Sequence, residues 1–147
     1  MTSNPLTGAC LCGQISYAID LPASEPDPKI ILCHCTSCKR YTGSGFSANI
    51  MVPKSAIRWT SGTPKIFTDH STDSGKPLPR ELCGECGTHF TSGVVAEPLT
   101  ALKWGTLDEE SRQRCSELGG EIYVKRRDGW VRPAGRGDVE GVFEREN

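Results

Sequence analysis

Apolar and polar positions alternate along much of this chain. Ile15, Tyr17 and Ile19 interleave with Gln14, Ser16 and Ala18, a period of two that gives a strand one apolar face. Phe46, Ala48, Ile50 and Val52 repeat the pattern, and Lys29 to Leu32 forms a shorter apolar run. Ile57-Arg58-Trp59, Lys65-Ile66-Phe67, Thr88 to Val95, Ala101 to Leu107 and Glu121 to Lys125 read as further strands, with Ile122 and Val124 on one face of the last. Short strands at close spacing, broken by Gly and Pro, predict an all-β domain. One helix is expected: Asp108 caps a stretch from Glu109 to Glu117, and Gly119-Gly120 ends it. Two segments carry turn chemistry instead of periodicity, Leu21 to Pro28 with three prolines, and Asp69 to Pro79, rich in Ser, Asp, Gly and Pro.

At 147 residues the length predicts one domain. An apolar fraction of 36%, with 16 Gly and 10 Pro, implies a thin core that bound metal would help to hold. The 17 basic and 18 acidic residues leave a net charge of −1, which removes any overall attraction to nucleic acid. No apolar run approaches the ~20 residues of a membrane span. Met1 to Pro5 shows no basic region leading into an apolar stretch, so the expected setting is soluble and cytoplasmic, where thiols stay reduced.

That setting changes how the eight cysteines are read. They fall at Cys10, Cys12, Cys33, Cys35, Cys38, Cys83, Cys86 and Cys115. An even number admits a disulfide framework, but tight clusters in a reducing compartment point to metal. Zinc is favoured over an iron–sulfur cluster, which would want a fourth cysteine beside Cys33, Cys35 and Cys38. Pairing Cys10-Leu11-Cys12 with Cys83-Gly84-Glu85-Cys86 makes one closed four-thiolate site, although mixed pairings also fit the spacing. Gly13, Gly84 and Gly87 beside these ligands suit tight turns.

The run Cys33-His34-Cys35-Thr36-Ser37-Cys38 puts three soft ligands on one tight segment. Three protein ligands and a free vertex mark catalytic zinc, whereas four mark structural zinc. Cys115, His34, His70 and His89 are the candidates for a fourth ligand here, and Cys115 alone on a helix also reads as a small buried hydrophobe. Lys39 and Arg40 stand next to the triplet, placed to hold an anionic substrate or to form a solvated pair. Lys125-Arg126-Arg127 reads as an exposed strand face, and Trp59, Trp104 and Trp130 as core or sheet-covering residues.

Three motifs in order carry a resemblance: Gly8-Ala9-Cys10-Leu11-Cys12-Gly13-Gln14-Ile15-Ser16-Tyr17, Cys33-His34-Cys35-Thr36-Ser37-Cys38-Lys39-Arg40, and Leu82-Cys83-Gly84-Glu85-Cys86-Gly87-Thr88. Together they resemble the glutathione-dependent formaldehyde-activating (Gfa) family, which includes the domain of centromere protein V. The resemblance implies a single-domain, coiled antiparallel β-sheet zinc-binding fold with one short helix. That domain would run over residues 5–132, with a C-terminal extension over 133–147. It implies a structural zinc on Cys10, Cys12, Cys83 and Cys86 and a second, labile or catalytic zinc on Cys33, Cys35 and Cys38. The implied activity is a carbon–sulfur reaction of the S-(hydroxymethyl)glutathione type, a lyase in one direction and a synthase in the other. His34 is then a candidate proton donor, and Lys39 and Arg40 are candidates for substrate carboxylates. The match is looser in the second half, limited to Thr106-Leu107-Asp108 and Ile122-Tyr123-Val124 with Trp130, so a different glutathione-type thiol adduct is also expected as substrate. A rival expectation is a non-catalytic zinc-binding module that contacts a protein or chromatin partner.

Overall fold

Alternation along Ser47–Pro53 builds the centre of the structure. Ile50 and Val52 are fully buried on one face, while Ser47, Asn49 and Met51 point to the other. In the computed structural model, which describes residues 4–133, this is strand β4 of ten. The others are β1 (Leu6–Ala9), β2 (Ser16–Ile19), β3 (Ile30–Cys33), β5 (Ile57–Ser61), β6 (Lys65–Asp69), β7 (Leu78–Leu82), β8 (His89–Ser92), β9 (Leu99–Lys103) and β10 (Leu118–Ile122). Two short helices are present, α1 (Thr36–Thr42) and α2 (Glu109–Arg114). All of the extension expected over 133–147 except its first residue lies outside the described residues.

A seven-stranded sheet runs in the order β10-β3-β4-β9-β8-β7-β6, and a smaller sheet in the order β1-β2-β5. The core lies where the two face each other. Tyr17 of β2 meets Trp59 of β5 and Phe90 of β8 edge-on, with ring centroids 5.9 and 5.8 Å apart, and Ile50, Val52 and Leu102 complete the cluster. With one face of the large sheet committed to this core, its other face is left to build a site.

The all-β, single-domain expectation holds, with corrections in detail. Pairing is antiparallel except between β10 and β3, which run parallel. Residues 104–117, containing α2, carry the chain from β9 back to the same end of the sheet, as a parallel return requires. The expected helix begins where predicted but stops at Arg114, short of Glu117. Asp108 occupies the cap position, yet its carboxylate accepts from the Thr7 hydroxyl at 2.7 Å and bonds no helix N–H. Gly119-Gly120 lies inside β10 and does not terminate the helix. A Cβ on Gly119 would come within 2.7 Å of Lys29 Cβ, so the close approach of β10 to β3 requires glycine there.

Helix α1 was not read from the pattern. It carries the last cysteine of the triplet and ends at Gly43, whose φ of 65° closes the turn by donating its N–H to the Lys39 carbonyl. Strands β1 and β7 were likewise unread. Lys125-Arg126-Arg127 is not a strand face: a 3₁₀ turn spans Val124–Arg126, with Arg126 paired to Asp73 and the following Arg127 to Glu121. Trp59 and Trp104 pack against the core, whereas Trp130 is largely exposed and lies over Gly45.

Candidate metal centre

Two cysteine turns, 71 residues apart, meet at the end of the small sheet. Gly13 and Gly87 adopt φ of 77° and 76°, and their N–H groups close the turns onto the carbonyls of Cys10 and Cys83 at 3.0 and 2.9 Å. The Leu11 N–H reaches across to the Thr88 hydroxyl at 3.0 Å, joining the turns. The sulfurs of Cys10, Cys12, Cys83 and Cys86 lie within 4.8 Å of one another, with Cys10–Cys12 at 3.5 Å and Cys12–Cys83 at 3.8 Å. Zinc–sulfur bonds of about 2.3 Å in a tetrahedron place sulfurs about 3.8 Å apart, so the donor set and its spacing fit a closed four-thiolate site. The Ile15 N–H donates to the Cys10 sulfur, and the Thr88 hydroxyl pulls the Cys86 thiol down to about 5. All eight cysteines are free, which removes the disulfide alternative.

The second group forms where β3 runs into α1. Cys33 is the last residue of β3; Cys35 caps α1, its sulfur accepting the Cys38 N–H at 3.3 Å; Cys38 sits in the first turn. Their sulfurs also lie within 4.8 Å of one another, and among the described residues no further Cys, His, Asp or Glu ligand atom joins them. Cys115 is in the core cluster instead, where burial raises its thiol to about 11. His89 stacks on Tyr41 with centroids 3.5 Å apart, and His70 is exposed beyond β6.

Electrostatics show what this triplet wants. The Cys35 and Cys38 thiols, and then burial, push the Cys33 thiol far up, while Cys33, Cys35, Ser47 and the Lys103 ammonium pull the Cys38 thiol far down. Three sulfurs this close therefore favour a single thiolate when only protons are available. A cation is the partner that lets all three ionise together. Both groups can hold a metal ion.

The triplet opens into a cavity of about 230 Å³ on the free face of the large sheet. Register explains its floor. Cys33 faces Ser47, Asn49 faces Lys103, and Ala101 faces Ser92, which in turn faces Arg80. Lys103 is buried, with its ammonium donating to Asn49 Oδ1 at 2.7 Å. Burial lowers its pKa, and the Cys38 thiolate opposes that shift. Arg80 is equally buried. Its Nε and Nη2 donate to Asp69 Oδ2 at 3.1 and 2.8 Å, its Nη1 donates to Ser92, and its guanidinium lies 4.5 Å from the centre of the Tyr41 ring. The Asp69 to Pro79 segment, read as a loop, supplies a wall through Thr72, Asp73 and Ser74. Tyr123, also on the lining, has φ of 56° and is the only non-glycine residue in the left-handed region among the described residues.

Sequence-derived candidates fall on both sides of this cavity wall. His34 is fully buried and does not line it; its Nε2 pairs with Glu121 Oε1 at 2.9 Å, and Glu121 also accepts from Arg127 at 2.7 Å. Lys39 bonds Asp128 at 2.9 Å and the Arg126 carbonyl at 2.6 Å, tying α1 to the chain after β10. Arg40 lines a neighbouring cleft of about 520 Å³ that shares Ser37, Asp73 and Arg80 with the cavity. Lys103, Asn49 and Arg80 went unread. The available signal was polar residues at alternate positions opposite Ile50 and Leu102 in the central strands.

The family model described as glutathione-dependent formaldehyde-activating enzyme matches residues 5–126. A protein of Aspergillus terreus bearing that family's name is 24% identical over 138 residues, covering 92% of this chain and 61% of its own. One from Emericella nidulans, named likewise, is 34% identical over 65 residues, covering 44% of this chain and 32% of its own. The chain thus spans less than two thirds of the length of either relative. A crystal structure of a Rhodobacter sphaeroides protein aligns with a TM-score of 0.52 at 17% identity, covering 70% of this chain and 88% of that one, and speaks to the fold alone. No helix among the described residues is long and apolar enough to cross a membrane. With the family model matched across most of its length, this chain belongs to the glutathione-dependent formaldehyde-activating family.

Proposed function

We propose that the protein is a zinc-dependent carbon–sulfur lyase or synthase acting on glutathione or a related thiol adduct. The observation that carries this reading is the triplet itself: three converging cysteine sulfurs, with no fourth ligand among the described residues, at the edge of a 230 Å³ cavity. Cys33, Cys35 and Cys38 would hold the reactive zinc, and Cys10, Cys12, Cys83 and Cys86 a structural one. Zinc at the triplet supplies a Lewis-acid position that keeps a substrate thiol ionised near neutral pH.

The chain's own residues do the rest. The continuity of cavity and cleft lets a substrate place its sulfur beside the triplet and its polar tail beside Arg40. Arg40 is exposed and forms no ion pair among the described residues, so its guanidinium is available to a carboxylate. Lys39, held by Asp128, acts instead by fixing α1 and hence Cys38. His34 anchors the segment between Cys33 and Cys35 through Glu121. In the synthetic direction the thiolate sulfur adds to an aldehyde carbon while the C=O π pair moves onto oxygen. In the lytic direction that carbon–sulfur pair returns to sulfur.

The test is exchange of ¹³C-formaldehyde with S-(hydroxymethyl)glutathione, followed by NMR with zinc-loaded protein, beside a panel of other S-substituted glutathiones. Exchange or cleavage above the uncatalysed rate, lost in Cys35→Ala, is the expected result. No acceleration with any adduct would overturn the proposal.

A further inference from the structure

We propose that Lys103 is a catalytic residue, the hydrogen-bond donor to the substrate oxygen at the reacting carbon. This inference rests on the thiol-adduct reading above. Addition of a thiolate to an aldehyde, or its reversal, moves charge onto or off that oxygen, and a fixed donor aimed at such an oxygen is the usual means of stabilising it.

Apart from neutral hydroxyls such as Ser37 and Tyr123, few donors on the cavity wall can serve. His34 is outside it, paired with Glu121. The Arg80 fork is engaged by Asp69 and Ser92. The Asn49 amide donates to Ser47 Oγ at 2.9 Å and more weakly to the carbonyls of Ile31 and Ser47 at 3.3 Å. Lys103 differs. Its ammonium carries three donors, and among the described residues it has one hydrogen-bond partner, Asn49 Oδ1, with the Tyr41 ring centre 6.0 Å away.

Placement adds to the case. Lys103 ends β9 opposite Asn49, on the face that also bears Cys33 and Ser47, and its side chain is buried. An ammonium held in the middle of a sheet is costly to desolvate unless paired. Asn49 fixes its position without neutralising it, and the sulfur triplet lies along the same cavity. A merely structural lysine would close its hydrogen bonds on protein carbonyls or carboxylates. This one keeps donors for something that enters.

The step balances. The thiol loses its proton on ionising; its sulfur donates a pair to the aldehyde carbon; the C=O π pair settles on oxygen, where the Lys103 N–H receives it. One proton, equal to the one the thiol released, then neutralises that oxygen, and thiol plus aldehyde have become the hydroxymethyl thioether. The reverse runs through the same contact.

The experiment compares wild type with Lys103→Met and Asn49→Ala, each zinc-loaded. Zinc content and calorimetric affinity for glutathione, which lacks the reacting oxygen, are measured beside kcat and KM for the adduct that wild type turns over. Lys103→Met is expected to keep its zinc, to bind glutathione within about 3-fold of wild type, and to lose kcat by on the order of 10²- to 10³-fold. Asn49→Ala keeps the ammonium but loosens it, so a smaller loss of about 5- to 20-fold in kcat is expected; this variant carries the test if Lys103→Met does not fold. Unchanged kcat in Lys103→Met would overturn the inference while leaving the thiol-adduct reading intact. So would loss of zinc or glutathione binding in proportion to kcat, because the lysine would then act through the metal centre. A wild type inactive on every adduct would remove the underlying reading and this inference with it.

Discussion

Replacing Asp69 with asparagine isolates one interaction on which the cavity depends. Arg80 is 2% exposed and Asp69 7% exposed, so the pair is largely withdrawn from water beneath the cleft and its two hydrogen bonds, at 3.1 and 2.8 Å, are charge-assisted. Asp69→Asn leaves the guanidinium buried with no counter-ion. Breaking one side of a buried ion pair costs about 3–5 kcal/mol, well above the ~1 kcal/mol of a typical point substitution. For a chain of this size that corresponds to a drop in Tm on the order of 10 °C. Urea unfolding of zinc-loaded protein should show a lower midpoint at unchanged slope. The pH dependence gives a second check. Burial opposes ionisation of Asp69, but Ser71 and Arg80 outweigh it and hold the carboxyl below its ordinary value. A carboxyl whose folded pKa is depressed contributes fully above its unfolded value of about 3.9 and loses that contribution as pH falls through the folded one. The penalty of Asp69→Asn should therefore be constant from pH 5 to 8. Combining Asp69→Asn with Arg80→Met should recover most of the loss, since no unpaired charge then remains. A penalty under about 1 kcal/mol, or one that drifts across that pH range, would refute the reasoning.

Other outcomes follow from the same geometry. Cys83→Ser removes a ligand of the four-sulfur group, so metal analysis should find about one zinc fewer per chain and thermal unfolding should fall steeply, because that metal is part of the folding free energy. Arg40→Ala should raise KM for carboxylate-bearing thiols by roughly 3- to 30-fold with kcat nearly unchanged, the signature of lost uniform binding. Glu121→Ala should cost about 1–3 kcal/mol in urea unfolding by removing the shared hydrogen-bond partner of buried His34 and of Arg127. Gly87→Ala, at φ of 76°, should cost about 1–2 kcal/mol and weaken the four-sulfur group, read by zinc release to a chelator.

Cysteine spacing made both cysteine groups legible as candidate metal sites, because short C-x-C and C-x-x-C runs of free thiols permit few other chemistries. The strands of the core were legible where apolar residues alternate, as along Phe46 to Val52. Strand β1 was not, since Leu6-Thr7-Gly8-Ala9 is too short for a period, and β7 was hidden by Pro79 and by a buried Arg80 that reads as solvent-facing. Helix α1 was obscured by the cysteines themselves: its cap is Cys35, outside the usual Ser, Thr, Asp and Asn. Lys103 was hidden for a tertiary reason. A lysine at the end of a strand is read as exposed, whereas here it is buried and its ammonium is held by Asn49, contributed by a strand more than fifty residues away. His34 shows the reverse, a residue conspicuous by its position between two cysteines whose ring turns away to a buried hydrogen bond with Glu121.

The most direct test of the central claim is zinc-edge X-ray absorption on protein loaded with two zinc ions, before and after glutathione. A four-sulfur and a three-sulfur site together predict a mean of about 3.5 sulfurs per zinc, rising to about 4 when a thiol completes the triplet, with no rise in Cys35→Ala. A mean of 4 before thiol is added, or no change on adding it, would contradict an open triplet that receives the substrate sulfur.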